Sequence, residues 1–102
     1  MSEQPIETFA LRHPLRAGQQ AQYQRLVSEL LTLARNAQGF LDGEHQPPQH
    51  DGDSHRISLT FISASQLQSW LHSHACQQLL AQIQPLLRDD EQLQHNAPPR
   101  QR

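Results

Sequence analysis

The chain has 102 residues, with 8 Lys and Arg against 10 Asp and Glu and a formal net charge of −2. This length fits one domain, and without a run of basic residues nucleic acid is not an expected partner. The apolar clusters are far shorter than the roughly 20 residues that span a bilayer, and the lone Cys76 cannot form an internal disulfide, so we expect a cytoplasmic protein without membrane contact.

The first two predicted elements are a strand and a long helix. Over residues 5–13, apolar and polar positions alternate as in a strand, and Pro14 ends it because proline has no N–H to donate. From residue 19 to about 37, apolar residues recur at three- and four-residue steps, which predicts an amphipathic helix.

Two further strands follow. Residues 40–46 (FLDGEHQ) predict a strand with a possible bulge at Gly43. The polar segment 49–54 predicts a loop. Beyond it Ile57, Leu59 and Phe61 alternate with polar residues, which is the clearest strand pattern in the chain.

Two short helices complete the predicted core. Ser63 and Gln66 have the S-x-x-Q spacing of a capping box, so a helix should begin near Ala64. A break around Ser73 separates it from a second helix that ends near Pro85. Residues 88–94 are a link that can hold one more short strand. We assign residues 1–96 to one domain and residues 97–102 to a disordered polar tail.

This order of elements predicts an α+β, ferredoxin-like split βαβ sandwich: a four-stranded antiparallel sheet with its helices on one face. Four local features also resemble the antibiotic biosynthesis monooxygenase family, of the dimeric α/β-barrel kind. They are a turn ending in Gly18 before a helix that carries Tyr23, the segment Gln38-Gly39-Phe40-Leu41, a strand ending in Phe61 before Ser63, and Trp70-Leu71-His72-Ser73 on a helix.

The resemblance implies a homodimer in which each subunit keeps a pocket between its sheet and its helices. Some members oxidise quinols or anthrones without a cofactor, some degrade heme, and others have no known activity. The positions that match the heme degraders' functional residues are Leu11, Trp70 and Leu80. Because leucine can neither ligate iron nor hydrogen-bond to oxygen, we expect no heme, metal or other cofactor.

Trp70 and His74 are the candidate catalytic residues. By the resemblance, Trp70 lines the pocket and stacks on a flat ligand; alternatively, it is a core side chain packed among Leu67 and Leu71. His74 is the histidine that can share the face of Trp70 and act as a general base, although histidines at helix ends are more often solvated. Predicted pocket-lining residues are Leu11, Tyr23, Phe61 and Leu80.

Other reactive side chains are weaker candidates. Residues His50, Asp51, Asp53 and His55 lack the spacing of a calcium or zinc site and suit a solvated hairpin tip. Cys76 lies on an apolar stripe and suits a buried thiol. Arg12 and His13 are expected to be solvated residues at the end of a strand.

The leading hypothesis is a cofactor-independent monooxygenase that acts on a small flat aromatic compound, either a quinol or an anthrone-like ring. The alternative is a non-catalytic dimer of the same fold that binds a small ligand or another protein. A polar side chain aimed into an enclosed cavity favours the enzyme, whereas a filled core favours the alternative.

Overall fold

The alternating segments of the chain form one antiparallel sheet. The computed structural model describes residues 6–49 and 54–95, so the predicted tail lies outside it. The strands are β1 (Glu7–His13), β2 (Phe40–Gln46), β3 (His55–Phe61) and β4 (Gln92–His95). Neighbouring strands pair antiparallel in the order β2-β3-β1-β4. The fourth strand, for which the sequence indicates only a possible short segment within residues 88–94, is therefore present as β4.

Three α-helices lie on one face of this sheet. They are α1 (Gln20–Arg35), α2 (Ala64–Leu71) and α3 (His74–Ile83), and a short 3-10 turn (Gln84–Leu86) follows α3. Odd-numbered residues of β1 and β3 face the helices, and Phe9, Leu11, Ile57, Leu59 and Phe61 are fully buried there. The predicted α+β ferredoxin-like fold is confirmed. None of the helices in the described ranges is long and apolar enough to cross a membrane.

Serine caps set the starts of α2 and α3. Ser63 Oγ accepts a hydrogen bond from the Gln66 backbone N–H at 3.2 Å, and Ser73 Oγ accepts one from the Cys76 N–H at 3.2 Å. Each bond satisfies a donor that has no partner inside its helix. The predicted helix start at Ala64 and the break at Ser73 are both confirmed.

Two boundary details differ from the predictions. The irregularity in β2 lies between Phe40 and Asp42, not at Gly43. A side chain at Gly43 would meet Leu59 and Phe40 at 3.0–3.2 Å, so close packing explains this glycine. Helix α1 also ends two residues early, at Arg35, because the chain turns toward Gly39, which has a positive φ of 89°.

Candidate functional site

A row of polar residues crosses the helix-facing side of the sheet at one end. His13 on β1 and His55 on β3 are direct partners in the strand register, and His45 on β2 lies beside His55. Glu91, just before β4, completes the row beside His13. We call His13, His45, His55 and Glu91 the histidine row. Three strands and the residue before β4 thus contribute to the row, and Tyr23 on α1 packs on its histidines.

His13 is the fully buried centre of this row. Its Nε2 lies 2.6 Å from Glu91 Oε2 and its Nδ1 lies 2.7 Å from the Tyr23 hydroxyl oxygen. Because a carboxylate only accepts, Nε2–H donates to Glu91, and Nδ1 shares the second hydrogen bond with the Tyr23 hydroxyl. Burial, followed by the charge of Glu91, raises the pKa of Tyr23, so the phenol keeps its hydrogen. The three side chains form a continuous carboxylate–imidazole–phenol chain.

His45 and His55 form the other half of the row. Their rings stack with an interplanar angle of 13°, and His45 Nε2 lies 3.0 Å from His55 Nδ1. At this distance only one of the two facing nitrogens can carry a hydrogen. Burial, followed by the charge of neighbouring histidines, lowers the pKa of both residues. At neutral pH they are therefore uncharged imidazoles with the capacity to accept a proton.

Two other kinds of chemistry have little support at this end of the sheet. Cys76 is fully buried, and burial followed by the charge of Glu91 raises the pKa of its thiol to about 12. A thiol in this state is a poor nucleophile, as expected from its apolar stripe. Within residues 6–49 and 54–95, no group of three or more His, Cys, Asp or Glu side chains has an arrangement that could hold a metal ion.

Trp70 lies at the opposite end of β3. Its ring packs on Phe61 with centroids 5.8 Å apart, and 6% of the side chain is exposed. The indole N–H is shielded from water without a hydrogen-bond partner in the described part of the chain. Trp70 also borders a cleft of about 240 Å³ together with Ala37, Gln38, Gln66 and Ser69. The residue thus packs against the core and reaches a small opening.

Of the predicted site residues, Phe61 packs on Trp70, but the others do not line the cleft beside it. His74, the first residue of α3, is exposed. Leu11, Tyr23 and Phe61 are fully buried, while Leu80 is partly buried against the core. Since six residue steps along β3 separate His55 from Phe61, the histidine row and Trp70 are about 20 Å apart. A single small ring cannot contact both.

The histidine row was missed at the sequence level. His13 was predicted to be solvated and His55 was assigned to a solvated hairpin tip, yet both are buried. The strand alternation contains the signal, because residues two positions apart in a strand lie on the same face. His13 is therefore on the face of Phe9 and Leu11, and His55 is on the face of Ile57 and Leu59. Tyr23, which the sequence analysis assigns to a pocket lining, is instead buried with its hydroxyl 2.7 Å from His13 Nδ1. His50, Asp51 and Asp53 lie outside the described residues.

Comparisons with solved structures identify the same fold in several proteins. The cofactor-independent oxygenase SnoaB from Streptomyces nogalater superposes with a TM-score of 0.77 at 13% identity, covering 96% of both chains. A protein from Caulobacter crescentus assigned as an antibiotic biosynthesis monooxygenase gives 0.83 at 11% identity, covering 93% of this chain and 92% of that one. Rv0793 from Mycobacterium tuberculosis gives 0.81 at 18% identity, covering 94% and 97%.

No protein-family model and no curated protein matches the chain by sequence. At identities this low, structural likeness establishes the fold. At the level of the fold, the comparisons confirm the resemblance to the antibiotic biosynthesis monooxygenases that the sequence indicates.

Proposed function

Because the chain has the fold of the antibiotic biosynthesis monooxygenases, we propose that it is a cofactor-independent monooxygenase acting on a small flat aromatic compound, a quinol or an anthrone-like ring. The observation that carries this proposal is the histidine row. It places imidazoles with lowered pKa values on the helix-facing side of the sheet, and one of them, His45, is partly exposed and within reach of a bound ring. Oxygenation without a cofactor requires such a base, because the deprotonated substrate itself must reduce oxygen.

In this oxygenation, the substrate itself supplies the electrons that reduce oxygen. For an anthrone-like ring, removal of a proton from the ring methylene gives a carbanion that donates electrons to molecular oxygen. One oxygen atom becomes the carbonyl of the product and the other leaves as water with the two methylene hydrogens, so atoms and electrons balance. The protein supplies an apolar site and a proton acceptor.

We place the proton acceptor at His45. It is the partly exposed histidine of the row and lies on edge strand β2, so a substrate can reach it without opening the core. His55 lies 3.0 Å away and takes part in the same hydrogen bond, which orients the His45 ring. The site predicted from sequence, with Trp70 stacking on the ring and His74 taking the proton, lies at the other end of the sheet and is the competing location.

Oxygen uptake over a panel of quinols and anthrones tests both the activity and its location. Replacement His45→Gln should reduce uptake at least tenfold, because a positioned general base contributes about 10²–10⁴-fold to rate. His72→Gln is the matched control, since His72 is exposed and its Nδ1 lies 2.9 Å from the carbonyl oxygen of Gln68 in the preceding helix, α2. If His74→Gln abolishes uptake and His45→Gln does not, the base is at the Trp70 end.

One observation favours the alternative, a non-catalytic dimer that binds a small ligand or a protein. Three of the four predicted pocket-lining residues, Leu11, Tyr23 and Phe61, are completely buried in a filled core. If no quinol or anthrone raises oxygen uptake above that of the buffer, the enzymatic proposal fails and this alternative stands.

A further inference from the structure

The sheet face opposite the helices carries a pair of arginines at the same end as the histidine row. Arg12 on β1 and Arg56 on β3 are direct partners in the antiparallel register, so their side chains leave the same face side by side. Gln46 is the register partner of Arg56 on β2, and Gln92 is the partner of Arg12 on β4. A row of four hydrogen-bond donors thus crosses the outer face, with two cations at its centre.

This pairing is unfavourable unless something compensates it. Like charges directly opposite each other on neighbouring strands repel. Within residues 6–49 and 54–95, neither guanidinium forms an ion pair, and neither has an interaction beyond those described. The nearest acidic residue along β2 is Glu44. Its carboxylate Oε2 accepts a hydrogen bond from the side-chain amide of Gln46 at 3.3 Å and forms no ion pair with either arginine.

Arg56 also has an unfilled hydrogen-bonding requirement. Its Nε is shielded from water and has no acceptor in the described part of the chain. A buried donor of this kind is destabilising until an acceptor is supplied. Arg56 is also less exposed than Arg12.

A cleft of about 530 Å³ opens beside the two arginines. It is lined by Arg12, Gln46, Pro47, Pro48, Gln49, Ser54 and Arg56. Its volume is in the range of small-molecule sites, and among the described residues that line it the charged ones are both cations. Guanidinium groups bind carboxylates and phosphates through paired, charge-assisted hydrogen bonds, to which amides and a hydroxyl can add.

We propose that Arg12 and Arg56 form a binding site for a small oxyanion, the carboxylate or phosphate group of a small molecule, on the outer face of the sheet. A bound oxyanion removes the repulsion between the two cations and supplies the acceptor that Arg56 Nε lacks. The proposal does not rest on the proposed oxygenase activity, since the histidine row lies on the other side of the sheet.

The test measures binding of inorganic phosphate and of benzoate to the full chain, by calorimetry and by the melting temperature, against chloride at equal ionic strength. Both anions should bind saturably to the native protein and raise its melting temperature. A tighter affinity for phosphate or for benzoate identifies which oxyanion the site takes. Arg12→Gln and Arg56→Gln should each weaken binding at least about tenfold, because each removes one charged partner.

Matched variants separate this site from general charge effects. Arg35→Gln removes an exposed arginine at the end of α1 and should leave binding unchanged. Arg56→Lys keeps the charge without the fork of N–H groups and should also bind more weakly than the native protein. Neither Arg12→Gln nor Arg56→Gln should lower the melting temperature without anion, since each relieves a repulsion. The proposal is overturned if all variants bind equally or if no saturable binding occurs.

Two further results would also overturn it. If phosphate binds only after Asp51→Asn and Asp53→Asn are combined, the neighbouring loop already neutralises the arginines. If Arg12→Gln or Arg56→Gln changes the oligomeric state in light scattering while phosphate has no effect, the arginines form a contact between subunits.

Discussion

At the scale of single residues, His13 shows why a polar side chain can lie in the core. A buried polar group is costly unless it is hydrogen-bonded, and both ring nitrogens of His13 are satisfied, one by Tyr23 and one by Glu91. These partners come from α1 and from the segment before β4. The position of His13 therefore depends on three distant parts of the chain being folded together.

Replacing Tyr23 by Phe tests this dependence. The substitution keeps the ring among the three histidines but leaves His13 Nδ1 buried without a partner, so we expect a loss of about 1–3 kcal/mol in the free energy of unfolding. Urea denaturation measures it. Thr8→Val is the control, because it removes a hydroxyl that lies 3.3 Å from that of Thr60 in a less buried pair, and it should cost less. Equal losses would show that the Tyr23 hydroxyl has no special role.

Trp70→Phe separates the two possible roles of Trp70. Phenylalanine preserves most of the packing on Phe61 and removes an indole N–H that is buried without a partner, so the stability loss should be only about 1–2 kcal/mol. If the indole positions a substrate ring, oxygen uptake per folded molecule should fall tenfold or more. A large loss of stability with unchanged turnover would identify Trp70 as a core residue only.

At the scale of elements, the joint between α1 and β2 is the most constrained connection. Gly39 has a φ of 89°, and its carbonyl accepts a hydrogen bond from the Ile62 N–H at 2.8 Å. A side chain at Gly39 would lie 2.5–3.0 Å from atoms of the Gln66 side chain, near the start of α2. The joint thus links the end of one helix to the start of another through the edge of the sheet.

Gly39→Ala should consequently cost more than Gly18→Ala. Both glycines have a positive φ, which an alanine adopts only with strain. Each substitution should therefore lower the free energy of unfolding by about 1 kcal/mol or more. Only Gly39 adds a steric conflict, because no atom lies within 4 Å of a side chain built at Gly18. Thermal unfolding of the two variants gives the comparison. Equal melting temperatures would mean that Gln66 moves aside freely.

At the scale of the whole molecule, the two faces of the sheet differ in character. The helix face is apolar except for the histidine row and the buried Glu7, whereas the outer face is mostly polar and can be solvated. The exception is a group of exposed apolar residues where β1 begins and β3 ends: Ile6, Leu41 and Ile62. Most of the outer face can therefore remain in water, and this apolar group is the part of it that most favours a partner.

The predicted homodimer should depend on that apolar group. Light scattering should give twice the chain mass of 11.7 kDa at micromolar concentration, and Ile62→Lys should shift it toward a monomer by placing a charge among the apolar residues. Leu93→Lys is the control, because Leu93 is as exposed as Ile62 but pairs with Leu11 and shares its helix-facing side. A native mass near 11.7 kDa would refute the dimer.

Stability should decline on mild acidification. The pKa values of His45 and His55 are lowered in the folded state, so between those values and the ordinary value near 6.5 the unfolded chain binds more protons. The free energy of unfolding should be constant above about pH 7.5 and should fall as the pH decreases through 6.5. Urea titrations between pH 7.5 and 5.5 measure the slope.

His55→Gln should flatten that slope, whereas His72→Gln should leave it unchanged because His72 is exposed. An identical slope in the native protein and in His55→Gln would show that other groups govern the acid response.

The elements themselves could be predicted from the sequence because their signals are local. Alternation in β1 and β3, helical spacing in α1, and the serine caps at Ser63 and Ser73 each depend on neighbours within a few positions. Together with the order of the elements, these local signals also indicate the fold.

The site depended on tertiary structure, because its members are brought together by strand pairing. His13, His45, His55 and Glu91 are far apart along the chain and meet only when four strands align in register, with Tyr23 placed over them by α1. A histidine at the end of a strand is solvated or buried according to what packs on it. The surrounding helix and strands determine whether the histidine is buried, because they supply the hydrogen bonds without which its burial is too costly.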